Sequence, residues 1–182
     1  MADPKSPDEI RNSLEAVFRH HGYDGVSIRQ LSEATGLSRT SLYRQYPRGK
    51  QQIGETALHN VVYWVCYHLV LPLRTPGPPH DRMQQVADAL EEFYDGGMRP
   101  CMIELFTFGE AGRLYGETTS RLVEELIDAF AAFYIEQGNP DLWAQKRAEK
   151  NITLLQGALV LCRVRNSRIP FRQFLKKLMK TV

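Results

Sequence analysis

Apolar positions recur every three to four residues along nearly the whole chain, and no stretch of useful length alternates with period two. That spacing predicts helices and no strands. Ile10, Leu14, Val17 and Phe18 mark a first amphipathic helix ending at His21-Gly22. Ile28, Leu31 and Ala34 form one face of a second helix, opened by Ser27 as N-cap and closed by Gly36. Ser38 caps a third, short helix with Leu42 and Tyr46 facing inward. A fourth covers about 49–71 and ends at Pro72. The proline-rich stretch 74–80 must be a loop.

Asp81 then caps a helix striped with Met83, Val86, Ala87, Leu90, Phe93 and Tyr94, which Gly96-Gly97 ends. Pro100 opens the next, to about 113. Long helices are predicted over about 117–137 and 141–165, separated by Gly138-Asn139-Pro140. The last, about 170–181, carries Phe171, Phe174, Leu175, Leu178, Met179 and Val182 at helical spacing. The expected architecture is all-α: a three-helix N-terminal domain (1–54) joined by helix four to a larger helical domain (55–182).

Residues 27–46, SIRQLSEATGLSRTSLYRQY, read as two short helices hinged at a glycine. That is the form of a helix-turn-helix, which places its second helix in the DNA major groove. With Leu42 and Tyr46 turned inward, Arg39, Thr40, Tyr43 and Arg44 are left to point outward. Charge agrees. Within 29–50, Arg29, Arg39, Arg44, Arg48 and Lys50 face only Glu33. Over 51–162, fifteen acidic side chains outnumber eight basic ones, and 163–182 has seven basic and no acidic residues. The helix-turn-helix is therefore locally cationic, as a phosphate-facing surface should be. Arg39 and Thr40, on the first turn of the reading helix, are the candidates for base edges: arginine for guanine O6 and N7, threonine for the thymine methyl. Ser38, Tyr43 and Arg44 are placed for phosphates or nearby bases.

The run continues on both sides. An amphipathic helix, then Gly22-Tyr23-Asp24-Gly25-Val26-Ser27, the helix-turn-helix with Leu42-Tyr43, then Tyr46, Pro47 and Lys50, resembles the N-terminal domain of the TetR/AcrR family over residues 8–58. Ser32 and Thr35 stand where that family usually has small alanines, and Tyr46 replaces a more frequent phenylalanine. The longer Pro47-Arg48-Gly49-Lys50 form, with YDGGMRPC at 94–101 and QGAL at 156–159, resembles the LmrA/YxaF-type subgroup of multidrug-type regulators.

The resemblance implies a repressor that binds a palindromic operator in double-stranded DNA as a homodimer, released when a small-molecule effector shifts helix four. It implies phosphate contacts at Ser27, Arg29 and Lys50. The family's dimer is a four-helix bundle from the last two helices of each subunit, which puts Leu155, Ala158, Leu159, Cys162, Phe171, Phe174, Leu175 and Leu178 at the seam. Trp64, Tyr67, Phe93, Phe106, Phe108, Phe130 and Tyr134 belong to an aromatic set larger than a domain of this size needs for its core. They are the candidate effector pocket, for a hydrophobic molecule or, with Glu104 and Glu110 nearby in sequence, a cationic one.

Composition narrows the rest. Apolar residues make up 43% and charged residues 24%, as in soluble globular proteins. The longest apolar run, 61–73, contains His68 and Pro72 and falls short of the ~20 residues that span a bilayer. The opening MADPKSPDE has no apolar segment, so a cytoplasmic protein with no membrane partner is expected. Cys66, Cys101 and Cys162 match no zinc or redox spacing and read as buried reduced thiols. No metal, no cofactor and no catalytic residue is expected, since none of the usual nucleophile, P-loop or zinc motifs occurs. A second reading remains open: an adaptor that keeps the fold, does not bind DNA and acts through protein partners.

Overall fold

In the computed structural model, described over residues 5–181, every regular element is helical. Met1–Pro4, the start of the polar N-terminal stretch, and Val182, the end of the terminal stripe, lie outside the described residues. Two compact units form. One holds the chain up to Tyr63 together with Met102–Thr119; the other holds Trp64–Cys101 and the chain from Ser120 onward.

In the first unit, α1 (Pro7–His21), α2 (Ile28–Thr35), α3 (Arg39–Gln45) and the start of α4 (Lys50–Val65) are each set by local chemistry. Ser6 with Glu9 and Ser27 with Gln30 form reciprocal capping boxes, satisfying amides the helix cannot. Gly36 closes α2 at φ 75°, a left-handed conformation open to glycine. Leu14, Phe18, Tyr23, Leu31, Leu42 and Ile53 are buried together in this unit. On α2 the fully enclosed residues are Leu31 and Thr35, while Ile28 and Ala34 are only half-buried. Thr35 satisfies its hydroxyl by donating to the Leu31 carbonyl at 2.8 Å, which is how it substitutes for a smaller side chain.

A buried ion pair within α1 is joined to α4 by a hydrogen bond from Asn60. Arg19 Nε donates to Glu15 Oε1 at 2.8 Å, and Asn60 Nδ2 donates to Glu15 Oε2 at 2.7 Å. Behind it, Phe18 and Tyr23 stack at 5.7 Å, with Phe106 edge-on to both and Tyr115 stacked on Phe106 at 5.2 Å.

Three predicted boundaries differ. Helix four does not stop at Pro72: α4 runs on through a π-helical turn at Cys66–Val70 into α5 (Leu71–Arg74). The Leu71 amide reaches back five residues to the Cys66 carbonyl. This wider turn leaves Pro72 in the first turn of the next segment, where its missing N–H is tolerated. The predicted helix from Pro100 is only one turn, α7 (Met102–Leu105), and α8 (Gly109–Glu136) is continuous across the expected break near 117. A lone Gly116 with no proline cannot stop a helix; the break falls at Gly109, φ 57°.

In the second unit, α6 (Pro79–Phe93), α9 (Asp141–Arg165) and α10 (Ile169–Met179) pack with the rest of α8. Tyr134 is fully enclosed and accepts from Asn151 Nδ2 at 2.7 Å. Arg82 is buried, its Nη1 donating to both carboxylate oxygens of Glu136 at 2.8 and 2.9 Å, and it also donates to the Pro72 and Leu73 carbonyls. Cys101 and Cys162 are buried, but Cys66 is exposed, contrary to expectation, because the π turn carries it to the surface.

Candidate nucleic-acid interface

Seven of the eight residues proposed to face DNA lie on the exposed surface of α2 and α3. Ser38 caps α3, its hydroxyl accepting from the Ser41 amide at 3.1 Å. Leu42 and Tyr46 are buried and fix the rotation of the helix. Arg39, Thr40 and Arg44 are then exposed on the outer face. Neither Arg39 nor Arg44 has an ion-pair partner among the described residues. Tyr43 is half exposed, and its ring rests on Gly49, where an added Cβ would lie 3.2 Å from Cε1.

Ser27 spends its hydroxyl on the capping box, donating to Gln30 Oε1 at 2.8 Å. Arg29 is exposed but paired with Glu33 at 2.8 Å, which raises its pKa. That pair is solvent-screened and would be exchanged readily for a phosphate. Arg48 is paired with Glu55 and adds little free charge. Lys50 is half-buried: its Nζ lies 4.6 Å from the Tyr23 ring centroid and donates to the Asp24 carbonyl at 3.5 Å. Its charge is thus held beside the turn that enters α2.

Behind this surface lies a joint that sequence reasoning missed. Tyr115 Oη, on α8, donates to the Gln51 carbonyl of α4 at 2.7 Å. The Glu110 amide, at the start of α8, donates to Asp24 Oδ2 at 3.4 Å. At Gly54 a Cβ would fall 2.7 Å from Tyr115 Oη and 2.8 Å from Tyr23 Cε2. A lone glycine inside α4 was the available signal. Gly54→Ala is expected to lower stability by about 1–2 kcal/mol, the overpacking cost exceeding alanine's helix propensity gain. A lower urea midpoint at unchanged slope would show this; an unchanged midpoint would contradict the packing.

Burial pushes the Tyr23, Tyr46 and Tyr115 phenols above their ordinary range, Tyr115 furthest, aided by its hydrogen bond with Tyr23. Folded tyrosines keep protons that unfolded ones lose above about pH 10. Stability from these groups is therefore full below pH ~10 and lost as pH rises further. Urea midpoints should hold up to pH ~9.5 and then fall, less steeply in Tyr115→Phe; the same decline in both proteins would remove Tyr115 from the account.

The candidate pocket residues are divided between the two units. Trp64 stacks on Phe93 at 3.6 Å and on His68 at 5.3 Å, with Tyr67 edge-on to His68. Phe130 and Tyr134 are enclosed in the core of the same unit. Phe106 belongs to the first unit's aromatic core, and Phe108 is 68% exposed. Two adjoining cavities of about 690 and 280 Å³ instead flank the π turn and α6. The candidate dimer residues Leu155, Ala158, Leu159, Cys162, Phe171, Phe174 and Leu178 are buried within their own unit, and Leu175 is half-buried. The outward side of α9 carries Val160, Leu161 and Val164, with Ile169 opening α10. Among the described residues no His, Cys, Asp or Glu cluster could hold a metal, and no helix is long and apolar enough to cross a membrane.

Residues 10–55 match the family model of the bacterial regulatory proteins, tetR family, and this segment contains all eight candidate DNA-facing residues. No curated protein matches the chain. Among solved structures, a TetR transcriptional regulator from Legionella pneumophila superimposes at TM-score 0.83 with 16% identity, covering 100% of both chains. A TetR regulator from Chloroflexus aurantiacus gives 0.76 at 20% identity, covering 95% of this chain and 91% of that one. The TetR family regulator CifR, as a cysteine mutant complexed with 26-base-pair operator DNA, gives 0.74 at 19% identity, covering 99% and 98%.

The chain has the TetR fold.

Within the TetR fold, α2 and α3 are the helix-turn-helix, and the family-model match ends at Glu55, early in α4. Both cavities and the outward face of α9 lie beyond that match.

Proposed function

We propose that this chain is a DNA-binding transcriptional regulator, a repressor that reads a palindromic operator as a homodimer and is released by a small hydrophobic or cationic molecule. The observation that carries the proposal is the outer face of α3. Arg39 and Thr40 stand exposed on a capped first turn, on a helix held in rotation by buried Leu42 and Tyr46. In this reading Arg39 and Thr40 meet base edges, while Ser27, Arg29, Ser38, Tyr43, Arg44 and Lys50 hold phosphates and set the register.

One such head buries little DNA, so specificity calls for two on a palindrome. The second copy would sit against Val160, Leu161 and Val164 of α9 and Ile169 of α10, with the residues buried beneath them supporting that face. The Pro47–Lys50 insertion and the 94–101 and 156–159 segments favour the LmrA/YxaF-type subgroup. Selection of bound duplexes from a random pool tests the proposal. The expected product is an inverted repeat with half-sites about one helical turn apart, or a multiple of it. Recovery of no enriched sequence, with no retardation of any duplex, would favour the adaptor.

A further inference from the structure

We propose that the groove between the π turn and α6 binds a linear aliphatic polyamine. The two adjoining cavities share His68, Ala89 and Glu92, so they form one elongated trough. One wall is apolar and aromatic: Tyr67, Leu71 and Pro72, continued by Pro76 and Pro78. The other wall is α6, which presents Asp81, Gln85, Asp88 and Glu92. These positions, at i, i+4, i+7 and i+11, fall on one helix face and put an acceptor at every turn over roughly 16 Å.

The charges of this trough are not cancelled from within. Arg82 also lines it, but its guanidinium is buried and spent on Glu136 and the Pro72 and Leu73 carbonyls. Asp81 faces only His80, at 3.7 Å, and Asp88 accepts from Gln84 at 2.7 Å. Glu92 has no cationic partner among the described residues. Arg99 lines the smaller cavity together with Glu92, but the two form no ion pair.

Shape and chemistry select the occupant. The carboxylates are spread along a line rather than converging, which suits no single metal ion. Trp64 and Phe93 already stack on each other at 3.6 Å, which leaves no slot between them for a flat aromatic cation. A flexible chain with an ammonium about every helical turn, ~5.4 Å, matches the acceptor row. Its methylene spacers match the apolar wall, and the Tyr67 ring offers a cation–π surface. Binding does not depend on DNA recognition; only a role as effector rests on the regulator proposed above.

The test is calorimetric titration of the DNA-free protein at moderate salt with spermine, spermidine and Mg²⁺, since polyamines also bind duplexes. Saturable one-to-one binding is expected, tightest for spermine and weakest for Mg²⁺. The double variant Asp88→Asn/Glu92→Gln should bind spermine at least about tenfold more weakly. A control with the same loss of charge on exposed residues elsewhere, Asp128→Asn/Glu149→Gln, should bind as the parent does. Equal affinity for spermine and Mg²⁺, equal weakening in both double variants, or no saturable binding would overturn the proposal. Duplex retardation by the Asp88→Asn/Glu92→Gln protein without polyamine should be unchanged, which separates failure of this site from failure of DNA recognition.

Discussion

Arg39→Ala is expected to erase the preference for the selected operator while leaving binding to random duplexes nearly intact. Arg39 is the first residue of α3, and Ser38 holds that turn through its bond from the Ser41 amide. The guanidinium is exposed and has no ion-pair partner among the described residues, so it has no internal bond to give up on meeting DNA. A bidentate arginine–guanine contact discriminates by about 1–3 kcal/mol, or roughly ten- to a hundredfold per head. On random duplexes the loss is that of one positive charge. Anisotropy titrations against both duplexes check this, and equal losses on the two would remove Arg39 from base reading. Lys50→Ala offers the contrast: a similar weakening on all sequences, with the salt slope reduced by about one per head.

Glu15→Ala should be the most damaging stability change, at about 3–5 kcal/mol, because it removes the carboxylate facing a buried guanidinium. Glu15 and Arg19 have side chains only 10% and 6% exposed, and Asn60 adds a third member from α4. Removing the carboxylate also leaves a cavity between α1 and α4. Glu15→Gln, which keeps an acceptor and the volume, should cost markedly less. Urea unfolding of both variants decides the matter; a loss below about 1 kcal/mol for Glu15→Ala would mean the pair is solvated. Since α1 braces the helix-turn-helix, weaker DNA binding should follow the stability loss.

The first unit was legible in the sequence because its signals are local. Ser27, Ser38 and Gly36 act within a turn of where they stand, and Leu42 and Tyr46 are the sole inward residues of a short helix. What failed to show were features set by tertiary context. Pro72 reads as a stop, but the π turn before it carries the helix past, and no local residue announces a π turn. No breaker stronger than Gly116 stands near 113–117, while the break at Gly109 depends on its left-handed φ next to Asp24.

The candidate dimer residues are buried within their own unit for a related reason. The C-terminal half of α9 carries apolar residues on two sides: Leu155, Leu159 and Cys162 look inward, while Val160, Leu161 and Val164 look outward. Periodicity detects the stripe that its own unit needs first and does not say which second stripe remains. Aromatic residues mislead in the same way. Phe106 and Phe130 have the composition of a pocket and the burial of a core. The trough is lined on one side by Pro72, Pro76 and Pro78, which no period marks, and on the other by the polar face of α6, whose helical spacing does not say that a wall stands opposite it.

The central claim is that a cationic α3 surface meets DNA, and its salt dependence tests it most directly. With Arg29, Arg44 and Lys50 of two heads on phosphates, the logarithm of affinity for the selected duplex should fall linearly with the logarithm of salt, at a slope of roughly −4 to −6. A slope near zero, or no binding to any duplex at low ionic strength, would contradict the account.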